Sequence, residues 1–146
     1  MRYKEQKLWD AMRSNTSPAT RLERLENTAG TGTPDVLALS EGVVTFCELK
    51  AVIELPRRKT TRVLGEKGLS VAQKNWHMTW HQNSGRALVV VGIGQGQLRQ
   101  HVAVWAAYSD HINDMTYIDM LAAACCAGVG AGFWGKLEVI LRRDKQ

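Results

Sequence analysis

The sequence has no long hydrophobic run. A membrane-crossing helix needs roughly 18 or more consecutive apolar residues, and the longest candidate, Leu121 to Val129, is short and rich in Ala and Gly. No membrane partner is therefore expected. The first ten residues, MRYKEQKLWD, lack the apolar centre of a secretory leader, and a cytoplasmic location is expected. Cysteine is scarce: Cys47, Cys125 and Cys126 make an odd count without metal-ligand spacing. Adjacent cysteines seldom bridge each other structurally, so reduced thiols in a reducing compartment are expected. Internal repeats and linker-like stretches are also missing. That leaves one domain over residues 1–146, a size that suits a single core.

The composition is that of an ordinary globular protein, 45% hydrophobic and 23% charged. Nineteen Lys and Arg against fourteen acids give a net charge of +5, a weak pointer by itself. The distribution says more. PRRKTTR at 56–62 holds Arg57, Arg58, Lys59 and Arg62 with no acid, and LRRDK adds cations near the C-terminus. Phosphate backbones attract such patches, although solvated loop charge has the same composition.

Apolar residues at three- and four-residue spacing predict a helix over 3–13, with Glu5, Leu8, Trp9 and Met12 on one stripe. TRLERLE at 20–26 suits either a strand or a short helix. Residues 35–39 and 43–50 read as a β-hairpin closed by Ser40-Glu41-Gly42, with Val44, Phe46, Glu48 and Lys50 on one face of its second strand. A long polar loop, 52–69, follows. Ser70 and Gln73 have capping-box spacing at the start of a helix that runs to about Asn83 and is closed by Gly85. Two strands, 86–93 and 101–105, complete a core of roughly 1–105. A helical extension over 106–146, broken by glycines at 128–135, is expected beyond it. Its last segment, KLEVILRR, suits helix or strand. The order predicts an α/β domain with a mixed sheet flanked by helices.

The hairpin carries charges that alternation does not explain. Asp35 opens its first strand, and Glu48 and Lys50, two residues apart and so about 7 Å apart on one face, lie at the end of the second. Two carboxylates placed together repel unless a cation holds them. Their hard oxygens suit Mg²⁺, which also accepts a phosphate oxygen, and a nearby lysine can orient water or neutralise charge on a phosphate. Ordinary surface ion pairs would use the same residues.

Gly-Thr-Pro-Asp at 32–35 and Glu-Leu-Lys at 48–50, followed by LSVAQKNWHMTWHQNSGRALVVV, resemble the PD-(D/E)xK nuclease superfamily, in the order seen in VRR-NUC enzymes and their small phage-encoded relatives. The resemblance covers roughly residues 1–93, and the VRR signature itself is absent. It implies a restriction-endonuclease-like fold and an endodeoxyribonuclease that uses Mg²⁺ or Mn²⁺. Asp35, Glu48 and the Leu49 carbonyl would hold the metal. Lys50 would be the catalytic lysine, and Gln73 would look into the site. An additional acid would come from Glu5 or Glu26. Arg57, Arg58, Lys59 and Arg62 would clamp DNA phosphates. Relatives resembling Holliday-junction resolvases act as homodimers, which implies a homodimer here, joined through the apolar C-terminal part; a phage-encoded member would work in the cytoplasm of its bacterial host.

Other patterns carry less. His77 and His81 are four apart but lack a third zinc ligand, and read as a polar helix face that could lie near DNA. Trp76 and Trp80 read as core. GAGFWGKL at 130–137 has P-loop glycine spacing, but Leu137 stands where Ser or Thr is needed. GIGQGQ at 92–97 is a turn, not a dinucleotide fingerprint.

Overall fold

The computed structural model describes residues 3–25 and 32–143. Helix α1 (Tyr3–Asn15) precedes β1 (Thr20–Arg24), β2 (Val36–Ser40) and β3 (Val43–Val52). Helix α2 (Val71–Gln82) crosses over to β4 (Ala87–Ile93), β5 (Gln100–Trp105) follows, and α3 (Tyr117–Ala123), β6 (Cys126–Val129) and α4 (Gly132–Leu141) complete the order. The six strands form one sheet in sequence order. Only β3 and β4 run parallel, as the helical crossover between them requires. The ambiguous segment at 20–26 is thus a strand over 20–24, antiparallel to β2.

The hairpin is closed by a two-residue loop. Glu41 and Gly42 both have positive φ, 50° and 81°, the signature of the primed turns that match strand twist. This sets the register Val36↔Cys47 and Ser40↔Val43. The same pairing continued one step places Asp35 opposite Glu48.

Alternation on the strands divides the core into two layers. One face packs Leu8, Met12, Cys47, Leu49, Leu88, Val90, Phe133, Trp134 and Leu141, drawn from α1, the sheet and α4. The other packs Val89, Val91, Ile93, Val102 and Val104 against Ile112, Met115 and Met120. Val63, Leu64 and Leu69 join this second layer, so the loop after β3 is half core. Asn113 pins it there, exchanging hydrogen bonds of 2.8 and 2.9 Å with the backbone of Leu69.

Three expectations change. The region beyond 105 is helical in α3 and α4 but not throughout: Cys126–Val129 is a strand paired with β5, and KLEVILRR falls largely within α4. Of the C-terminal apolar residues expected to join a dimer, Phe133, Trp134, Leu137 and Leu141 are buried in the chain's own core, while Ile118, Leu121, Val129 and Val139 are exposed. Helix α2 ends through Ser84, which takes the left-handed conformation at φ 64°, while the Gly85 amide bonds the Trp80 carbonyl at 2.8 Å. Gly85 is needed for space, because a Cβ there would collide with the Trp80 indole.

Glu138 shows how α4 is tied to the sheet. Burial alone would raise its pKa, but its carboxylate accepts hydrogen bonds from the Ser17 amide and the Ser17 and Thr20 hydroxyls, which hold it below the ordinary value. All three cysteines are free, and burial pushes the Cys47 thiol up to about 12.

Candidate active site

A cavity of about 730 Å³ opens where α1, β3, the loop and α2 meet. Asp35, Glu48, Lys50, Glu5 and Gln73 all line it. Sequence positions far apart converge for simple reasons. The hairpin register sets Asp35 beside Glu48, period two sets Lys50 beside Glu48, and parallel pairing aligns Glu48 and Lys50 with Val89 and Val91 of β4. Gly32 fixes the turn that delivers Asp35: its φ is +91°, and any Cβ would run into the Ala72 backbone at the start of α2.

Asp35 is held by the Leu49 amide, which donates to its Oδ2 at 2.9 Å. Leu49 buries its side chain in the opposite core while its backbone lines the cavity. Glu48 is 2% exposed, and its Oε1 has no hydrogen-bond partner. Burial, a hydrogen bond with Asp35 and the Asp35 charge push its carboxyl up to about 10, opposed by Lys50 and reinforced by Glu5. Two carboxyl groups this close cannot both carry charge unless a cation joins them.

The residues fit a divalent cation. The buried, unsatisfied oxygens Glu48 Oε1 and Glu5 Oε2, together with Asp35, are hard donors around one open cavity. Among the described residues no three His, Cys, Asp or Glu side chains already stand as a closed ligand cage. Glu26 lies outside the described residues.

Gln73 serves the helix as well as the cavity. Its Oε1 accepts the Ser70 amide at 2.9 Å and its own amide donates to the Ser70 hydroxyl, a complete capping box. The basic run lies elsewhere. Arg57, Arg58 and Lys59 are exposed, Arg62 pairs with Asp114 at 3.2 Å, and none of the four lines the carboxylate cavity.

The sequence reading missed His77. It is fully buried, not part of a polar face, with Nε2 3.8 Å from Glu48 Oε1. Burial lowers it to about 4, with the Asp35 charge opposing and Lys50 reinforcing, so the imidazole is neutral and the contact is not an ion pair. Its position four residues after Gln73, one helical turn along the same stripe, was the available signal. Lys67 and Arg24 also line the cavity; Lys67 reaches it only because buried Leu64 and Leu69 fold the loop back, and nothing in the local sequence marks that. Trp76 and Trp80 are half-buried. They stack on each other at 4.9 Å and meet the Phe46 ring edge-on at 5.1 and 5.0 Å.

No protein-family model matches the chain, and no curated protein sequence matches it. Among solved structures it is similar to the Holliday junction resolvase Hjc of Archaeoglobus fulgidus, with a TM-score of 0.54 and 14% identity over 90% of this chain and 96% of that one. The likeness is one of fold: the chain is a single-domain α/β protein whose mixed sheet, flanked by helices, has the architecture of that resolvase.

Proposed function

We propose that the chain is a metal-dependent DNA endonuclease, selective for branched DNA of the Holliday-junction type and close to the VRR-NUC enzymes in its choice of residues. The observation that carries this reading is the meeting of Asp35, Glu48 and Lys50 in one open cavity, on a fold shared with a junction resolvase.

Asp35, Glu48 and the Leu49 carbonyl would hold Mg²⁺ or Mn²⁺, with Glu5 as the additional acid. When bound, such an ion supplies Lewis-acid polarisation of a phosphodiester and activation of water. The chain does the rest. The Leu49 amide fixes the orientation of Asp35. Buried, neutral His77 closes off the space behind Glu48 and keeps its carboxyl facing the cavity. Lys50 offers an ammonium group to orient water and to offset negative charge developing on the phosphate. Lys67 and Arg24, at the cavity wall, attract the DNA backbone, and the exposed cations Arg57, Arg58 and Lys59 extend that field. Two symmetric cuts on a four-way junction need two such sites, so the working form is a homodimer in a cytoplasmic setting.

The test uses a labelled four-way junction and a linear duplex, each with Mg²⁺, Mn²⁺ or EDTA, beside Asp35→Asn and Lys50→Ala. Paired metal-dependent nicks near the branch point, lost in both variants, are expected. Cutting of all DNA alike would retain the nuclease and remove junction selectivity. Tight binding with no cutting under any metal would instead favour a non-catalytic or partner-dependent DNA-binding module. Monomeric mass at micromolar concentration would remove the dimer.

A further inference from the structure

A second cavity, of about 500 Å³, lies on the other side of α1 from the carboxylates. Its chemistry is different. Lys4, Lys7 and Arg99 line it, and among the described residues no acid does. Between them lies an apolar floor of Ala11, Ala51 and Ile53, and the turn at Gly94–Gly96 closes one side. The helix explains the division. Residues 4, 7 and 11 follow one another at three- and four-residue spacing and form one stripe. Glu5, Leu8 and Met12 form the next, with Glu5 in the catalytic cavity and Leu8 and Met12 in the core. The strand divides in the same way, with Lys50 in the first cavity and Ala51 in the second. Adjacent residues of two elements therefore face two adjoining cavities.

Arg99 is half-buried, and its Nε donates weakly, at 3.4 Å, to the Gly94 carbonyl. Among the described residues no carboxylate pairs with Arg99 or Lys4. Burial disfavours the Arg99 charge, and a bound anion would compensate that cost. A bare anion needs no apolar floor, however. Ile53, at 54% exposure, is one of the more exposed large apolar side chains in the chain. A group with a phosphate at one end and a flat apolar body at the other satisfies both halves, and the volume falls in the range of small-molecule sites.

We propose that this second cavity binds one nucleotide of the DNA strand beyond the scissile phosphate, with the phosphate on Lys4, Lys7 and Arg99 and the base against Ala11, Ala51 and Ile53. The inference rests on the nuclease reading for its biological meaning, but the site can be measured without cleavage. Its role would be to select a strand able to leave the duplex at a branch, since a stacked, paired base cannot enter a pocket.

The experiment titrates full-length, ¹⁵N-labelled protein in EDTA with thymidine monophosphate, thymidine or inorganic phosphate, following backbone amides by NMR. The expected result is saturable shifts at 51–53 and 94–96 with the monophosphate. Phosphate alone, which lacks the base contacts, should bind about tenfold more weakly, and so should the monophosphate to Lys4→Glu/Lys7→Glu, where charged hydrogen bonds are removed. Neither lysine is in the core, so this variant is preferred to Arg99→Ala, which empties a half-buried position; a melting curve checks each. Ile53→Ser, which removes apolar surface without adding charge, should weaken the monophosphate and leave phosphate unchanged. No shifts, shifts confined to 48–50 and 67–73, or equal affinity for phosphate and monophosphate would each overturn the proposal. Cleavage measured in parallel separates the two readings: junction cutting without nucleotide binding removes this site alone, and nucleotide binding without cutting removes the nuclease alone.

Discussion

Glu48 is enclosed by a second carboxyl group, a neutral imidazole and a lysine, with 2% of its surface exposed. A purely structural role would favour an uncharged residue there, because burying a charge beside a like charge is costly. The prediction is specific to that conflict. In EDTA, Glu48→Gln should melt no lower than the parent, since glutamine keeps the shape and is neutral without the proton that Glu48 must take up on burial. Mg²⁺ at a hundred times its dissociation constant should stabilise the parent by about 2.7 kcal/mol by mass action and leave the variant unmoved. Thermal melting with and without metal reads both effects. Equal stabilisation of parent and variant would place the metal elsewhere.

Helix α2 begins at the cavity, and Gln73 is asked to do two things there: close the capping box with Ser70 and face the carboxylates. Glutamate serves a capping box as well as glutamine does. Gln73→Glu should therefore leave the melting temperature within the range of a surface substitution, about 0.5 kcal/mol, while adding a negative charge beside Asp35 and Glu48. Cleavage should fall by about tenfold or more, as expected for a perturbed catalytic group; unchanged cleavage would reduce Gln73 to a cap. This helix was legible in the sequence because its cap is local: Ser70, Gln73 and the apolar rhythm lie within one short window. The hairpin was legible for the same reason, and its register then brought Asp35 to Glu48. Elements that depend on distant partners were not. Cys126–Val129 is CAGV, small residues with little strand preference, and it becomes a strand only because β5 offers an unpaired edge. His77 looked like a surface residue until the sheet was present to cover it, and Lys67 faces the cavity only through the packing of Leu64 and Leu69 into the core layer on the Glu48 and Lys50 side of the sheet.

At the scale of the whole molecule, the last third of the chain closes the sheet, and His101 sits at that closure. It lies on β5 opposite Gly128 of β6, stacked on Phe133 at 4.8 Å and edge-on to Trp134 at 5.0 Å. Burial lowers its pKa from 6.5 to about 4, Arg99 adds to the shift and the Gly128 backbone opposes it. The folded chain therefore refuses a proton that the unfolded chain accepts between those two values. Stability must fall as pH drops through that window, and it is fully recovered above the unfolded value. From pH 7 to pH 5 this one group should cost about 2 kcal/mol. His77 contributes in the same direction, so the informative quantity is a difference. His101→Phe keeps an aromatic ring against Phe133 and removes the titration. Urea denaturation at pH 7 and pH 5 should show the parent losing about 2 kcal/mol more than the variant. Parallel losses would mean that His101 takes up its proton in the folded chain, and that the β5–β6–α4 closure opens to water well before the sheet unfolds.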